Sequence, residues 1–143
     1  MAATSARRYI ACAYGCWDQT ALKKSLIAVV DDDESVRQAL SALIRSLGYA
    51  VVVFSDAEQL LQSRRRDEIT CLISDVQMPR MNGLELYQRL AEEKSVPTIL
   101  ITAYPNDRTQ KRAHAMGISC YLAKPFNEDE LIGCLRAALG QQA

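Results

Sequence analysis

Glycine, histidine and long apolar runs are all scarce in this chain. Its six glycines form no cluster, so the glycine-rich loop that cradles a nucleotide or flavin phosphate is missing. Its one histidine, His114, stands far along the sequence from the closely spaced Cys12 and Cys16, which argues against a cysteine–histidine metal site. No apolar stretch approaches the roughly 20 residues that span a bilayer, so a helical membrane protein is not expected. No charge of one sign dominates: 17 basic and 17 acidic residues cancel, which excludes the broad basic surface typical of nucleic-acid binders. The five cysteines are odd in number and include no Cys-x-x-Cys. They read as reduced, small hydrophobic side chains of a cytoplasmic protein.

What is present fits one soluble domain. At 143 residues, with 49% hydrophobic and 24% charged side chains, the chain is long enough for a single core and too apolar to be disordered. The charge balance is uneven. Residues 1–24 carry Arg7, Arg8, Lys23 and Lys24 against Asp18, and the remainder holds 13 basic and 16 acidic residues. Periodicity also begins near Ser25. Residues 1–24 therefore read as a flexible N-terminal extension, and residues 25–143 as the domain. The short apolar stretch at 9–17 contains Gly15 and two cysteines and reads as part of that extension rather than a targeting segment.

From Ser25 onward, short apolar runs alternate with helical patterns. Strands are predicted at 26–30, 50–54, 71–74, 98–102 and 119–123. The first helix carries Val36, Ala39, Leu40, Leu43, Ile44 and Leu47 at helical spacing, with Gly48 at its C-terminal cap. Ser55-x-x-Glu58 reads as a capping box for the second helix, and Arg64, Arg65 and Arg66 as a solvated loop after it. Pro79 and Asn82-Gly83 mark a loop before a third helix over 84–90. A fourth helix begins at Pro105-Asn106 and ends near Gly117. Asn127-x-x-Glu130 opens a fifth, stopped by Gly140. Strict alternation implies a parallel sheet with right-handed crossovers and helices on both faces.

In such folds ligands gather at the carboxyl ends of the strands. The first strand ends in Asp31, Asp32, Asp33 and Glu34, the third in Asp75 and the fourth in Thr102; Lys124-Pro125 follows the fifth. Each has an ordinary reading alone, as a turn, a helix start or a solvated side chain. Together they converge on one edge, where packed carboxylates repel and need a cation. Oxygen ligands without histidine or a local thiolate favour a hard ion, Mg2+ first.

The segments Val29-Val30-Asp31-Asp32-Asp33-Glu34-Ser35-Val36-Arg37, Ile73-Ser74-Asp75-Val76-Gln77-Met78-Pro79-Arg80-Met81-Asn82-Gly83, Ile101-Thr102-Ala103 and Lys124-Pro125-Phe126 resemble those of bacterial two-component response-regulator receiver domains, most closely those of nitrogen-fixation and nodulation regulators. The resemblance covers residues 25–139. It implies a flavodoxin-like (βα)5 fold, a three-layer α/β sandwich whose five-stranded parallel sheet has order 2-1-3-4-5. It implies that Asp75 accepts a phosphoryl group from a sensor histidine kinase, with Asp31, Asp32, Asp75 and the backbone carbonyl of Gln77 holding Mg2+. Lys124 then faces the phosphoryl group, Thr102 supplies the hydroxyl that moves to it, and Tyr121 is the aromatic switch residue that turns inward.

The resemblance further implies a cis Lys124-Pro125 bond. It implies kinase docking at Arg37, Gln38, Ser41 and the Pro125-Phe126 loop, and a dimer or output face on the fourth helix, fifth strand and fifth helix. Gln77 and Tyr104 sit at positions that tune dephosphorylation, and Tyr104 is expected to screen the site. His114 reads as an ordinary surface residue. Partners beyond the kinase are a downstream protein target or an output domain not contained in these residues; no direct nucleic-acid or membrane contact is expected. The alternative is a pseudo-receiver that binds partners without phosphorylation. An aspartate-based phosphatase has less support, because Asp75-Val76-Gln77 lacks its second carboxylate.

Overall fold

The computed structural model describes residues 25–140. The element order is β1 (Leu26–Val30), α1 (Glu34–Ser46), β2 (Ala50–Phe54), α2 (Ala57–Leu61), β3 (Cys71–Asp75), α3 (Gly83–Ala91), β4 (Thr98–Thr102), α4 (Asp107–Ala115), β5 (Cys120–Ala123) and α5 (Glu128–Ala138). The strands form one parallel sheet in the order β2-β1-β3-β4-β5. This is the flavodoxin-like arrangement the resemblance implies, and the chain reverses direction of winding between β1 and β3. Among the described residues no helix is long and apolar enough to cross a membrane.

The period of two along each strand divides the core. Leu26, Ala28, Val30 and Leu72 pack with Leu60 of α2 and Leu86 and Leu90 of α3. Ile27, Val29, Ile73, Ile99 and Ile101 face the other way, onto Leu40 and Ile44 of α1 and Leu131 and Leu135 of α5. Leu100, between Ile99 and Ile101, joins Leu84 and Ala113 beneath α4. Burial on both sheet faces explains why the inner strands are mostly apolar, with buried Thr98 at the start of β4 and polar residues gathered at the strand ends. The polar ends of β1, β3 and β4 are thereby held side by side.

Four local expectations need correction or refinement. The cap of α2 is Asp56, whose carboxylate accepts from the Gln59 amide at 2.8 Å; the Ser55 amide instead donates to Gln59 Oε1 at 2.9 Å. Arg64–Glu68 forms a 3-10 turn, and Arg66 is not merely solvated. It donates to the Leu61 carbonyl at 2.9 Å and pairs with Glu93 at 3.1 Å, which ties that turn to the end of α3. Asn82-Gly83 opens α3 directly: Asn82 and Glu85 bond reciprocally through side chain and amide, both at 2.9 Å. Asn82→Ala is expected to cost about 1 kcal/mol, read as a lower urea midpoint with an unchanged slope.

The fourth correction concerns cysteine. Cys120 of β5 and Cys134 of α5 form a disulfide, with their Cα atoms 6.1 Å apart. They are not reduced core thiols, because the packing of α5 over β5 brings them face to face. Cys71 does follow the expectation: it is free and buried, and burial pushes its thiol up to about 12. Cys12 and Cys16 lie outside the described residues, as does the N-terminal extension. The Lys124-Pro125 bond is cis, as expected, and Gly48 takes φ +93° just beyond α1.

Candidate functional site

Each side chain at the strand edge is placed by the element that ends there. Asp31 follows β1 and is fully buried, whereas Asp32 beside it is exposed. Asp33 turns away to cap α1: its carboxylate accepts from the Ser35 amide at 2.9 Å and the Ser35 hydroxyl at 2.7 Å, and those bonds hold its carboxyl below the ordinary range. Asp31 is locked in place by the Asp33 amide, which donates to Oδ1 at 2.8 Å, and by Arg37, which donates to its carbonyl at 2.7 Å.

Asp75 is the last residue of β3 and only 5% exposed. Carboxylate oxygens of Asp31, Asp32 and Asp75 lie within 4.8 Å of one another. Lys124 reaches between two of them, with Nζ 2.9 Å from Asp31 Oδ2 and 3.2 Å from Asp75 Oδ2. One ammonium group is therefore shared by two buried carboxylates. Burial opposes its charge, but Asp31 and Asp75 outweigh that and hold Lys124 above the ordinary lysine range. Burial first, and Asp31 second, push the Asp75 carboxyl above its ordinary range despite Lys124. Two carboxylates thus share one ammonium group, and Asp31 remains close enough to disfavour charge on Asp75.

The donor set fits a hard divalent cation. It consists of oxygen atoms on three convergent carboxylates. One of those atoms, buried Asp31 Oδ2, is an ion-pair neighbour of Lys124 but accepts no well-aligned hydrogen bond. A cleft of about 560 Å3 opens beside Asp32, bounded by Gln77, Met78 and Asn82 from the β3–α3 loop and by Thr109 and Arg112 from α4.

Thr102 ends β4 and is fully buried. Its hydroxyl does not face Asp75 in a hydrogen bond; it donates to Gln77 Oε1 at 2.7 Å and accepts from the Tyr104 amide at 3.0 Å. Gln77 also sends its own amide to Asp75 Oδ1 at 3.2 Å. Tyr121 is not drawn into the carboxylate cluster. It is half-buried against the core under α4, and its hydroxyl accepts from the Asn106 amide at 3.4 Å. Tyr104, expected to screen the site, is 72% exposed. His114 is exposed on α4.

Sequence reasoning named Gln77 without its side-chain partner and missed Gly83. The Gln77 side chain reaches Thr102 across 25 residues, a pairing that nothing in the sequence marks. Gly83 packs against the backbone of Asp75 itself: a Cβ there would stand 2.6 Å from the Asp75 carbonyl oxygen. An Asn-Gly pair, read as a turn, concealed that role.

Residues 27–136 match the family model described as the response regulator receiver domain. The chain is 40% identical over 118 residues to response regulator protein TodT of Pseudomonas putida, an overlap of 82% of this chain and 52% of that protein. It is 38% identical over 116 residues to nodulation protein W of Bradyrhizobium diazoefficiens, covering 80% and 51% respectively. The receiver domain of an HD domain-containing protein from Pseudomonas fluorescens Pf-5 superposes with a TM-score of 0.76 at 33% identity, covering 82% of this chain and 96% of that one. The chain thus spans about half the length of the curated relatives it matches.

Proposed function

The chain belongs to the response regulator receiver family, with relatives of the nodulation and nitrogen-fixation type, and from that premise we propose that it is the phosphoacceptor of a two-component phosphorelay. The observation that carries the reading is the sharing of one ammonium group, Lys124, by buried Asp31 and Asp75, with Asp32 in reach of both carboxylates. Asp75 is the nucleophile. One of its carboxylate oxygens attacks phosphorus, the bond from phosphorus to the kinase histidine breaks, and the electron pair leaves with the imidazole. Phosphoryl transfer asks of the protein mainly position and charge neutralisation.

Position comes from β3 and from the Gln77 amide on Asp75 Oδ1, which leaves Oδ2 on the Lys124 side. Neutralisation of the incoming oxygens comes from Lys124. Asp31, Asp32, Asp75 and the Gln77 backbone carbonyl would hold Mg2+, which when bound supplies the additional positive charge that three carboxylates and a phosphoryl group require. Thr102 and Tyr121 are the readout pair: the hydroxyl turns to the new phosphoryl oxygen, and the ring follows.

The receiver unit is residues 25–143, with 1–24 as its extension. It is a cytoplasmic signalling domain rather than a metabolic enzyme. The sensor kinase docks at Gln38, Ser41 and the Pro125-Phe126 loop, beside Arg37. Activation acts on the face of α4, β5 and α5, where exposed Arg108, Lys111 and Arg112 on α4 complement Glu128, Asp129 and Glu130 on α5 in a second copy. A downstream protein or an output domain reads that change.

The test is incubation with a small phosphodonor and Mg2+, followed by intact mass. One phosphoryl adduct is expected on the wild type and none on Asp75→Asn. No adduct on the wild type would instead support the pseudo-receiver reading, and an equal adduct on both would move the acceptor elsewhere.

A further inference from the structure

Thr102 and Gln77 meet at the ends of neighbouring strands. The Val76 amide bonds to the Ile101 carbonyl at 2.9 Å, so the two chains are in register where they leave the sheet. The Thr102 carbonyl is held in turn by the Lys124 amide at 2.8 Å. The backbone is therefore held at Ile101 by β3 and at Thr102 by Lys124, so a change at Thr102 falls to its side chain.

That side chain carries one proton. It is committed to Gln77 Oε1 at 2.7 Å, and the hydroxyl oxygen receives the Tyr104 amide. A hydroxyl donates one hydrogen bond at a time. While Gln77 holds that proton, Thr102 cannot donate to a phosphoryl oxygen on Asp75. Gln77 is otherwise exposed, so water can replace Thr102 as a partner of its amide once the bond breaks. This makes the bond reversible and of modest strength, as a switch requires.

We propose that Gln77 is a positioning residue that latches the Thr102 hydroxyl away from Asp75 in the unphosphorylated protein. The inference rests on the phosphoacceptor reading and adds to it the element that opposes the switch. Through its amide on Asp75 Oδ1 and its side chain on Thr102, one residue connects the acceptor to the readout. Release of the latch biases Thr102 toward the phosphorylated arrangement without any phosphoryl group. A single neutral hydrogen bond shifts such an equilibrium by about threefold to tenfold.

The test uses isotope-labelled full-length protein and a substitution that keeps the backbone carbonyl, Gln77→Met. Without phosphodonor, the Thr102 methyl and Tyr104 and Tyr121 amide resonances of this variant are expected to move toward the positions the wild type takes with phosphodonor and Mg2+. Gln77→Glu, which keeps an acceptor oxygen, is expected to remain near the wild-type positions. In a Thr102→Val background Gln77→Met should have no effect, since the proton it held is gone. A Gln77→Met protein that matches the wild type, or one whose shift persists with Thr102→Val, overturns the latch. Intact mass of the wild type separates the two ideas: no adduct overturns the phosphoacceptor reading together with the latch, whereas a normal adduct with no Gln77 effect overturns the latch alone.

Discussion

Lys124→Met is expected to slow phosphoryl transfer to Asp75 by about a hundredfold and to destabilise the metal-free protein by about 3 kcal/mol. Both effects follow from one geometry. Nζ stands 2.9 Å from Asp31 and 3.2 Å from Asp75, and neither carboxylate has more than slight solvent exposure. Removing the cation leaves two buried charges of like sign facing each other, which costs more than the pair contributes while intact. In the transfer proposed above, the same ammonium group would meet charge that grows on the phosphoryl oxygens. Asp31→Asn in the Lys124→Met background separates the two roles. It should recover stability, because it removes one of the opposed charges, and it should not recover transfer. Urea unfolding and a mass time course measure them; unchanged stability in Lys124→Met would show that the ion pairs do not form in solution.

Gly83→Ala is expected to destabilise the protein by about 3 kcal/mol, against the usual sign of the substitution. Alanine in place of a helical glycine ordinarily stabilises by up to about 1 kcal/mol. At Gly83 the added Cβ would lie 2.6 Å from the Asp75 carbonyl oxygen, 3.0 Å from Leu100 Cδ2 and 3.2 Å from Ser74 Oγ. The carbonyl belongs to a central strand and cannot turn aside, so α3 must withdraw from β3. That movement disturbs the β3–α3 loop and the Gln77 amide that positions Asp75 Oδ1, and phosphorylation is expected to fall with stability. Gly133 in α5 is the internal control. No atom lies within 4 Å of a Cβ built there, so Gly133→Ala should follow the ordinary sign and raise the unfolding midpoint. A Gly83→Ala protein as stable as Gly133→Ala would refute the close approach.

Much of the site is legible in the sequence, for a definite reason. Apolar runs of strand length break off at Asp31, Asp75 and Thr102, and a parallel sheet must set such ends along one edge. The convergence of three carboxylates and a lysine therefore follows from order and period alone. Helix starts are equally local: Asn106 and Asn127 accept from amides two or three residues ahead, which needs no tertiary contact.

Pairings across elements are another matter. Cys120 and Cys134 have no spacing that announces a bond, and α5 meets β5 in a register that a slip of one residue would destroy. The Thr102 hydroxyl and the Gln77 amide carry no mark that they are partners; their meeting depends on the register that sets Asp75 opposite Ile101. Gly83 reads as a turn residue until the carbonyl of Asp75 is placed against it. The chain's pattern of polarity thus determined which residues share an edge, because burial acts on every side chain according to its period. Only the tertiary structure decided which atoms on that edge touch, because a hydrogen bond or a close approach depends on fractions of an ångström set by packing elsewhere.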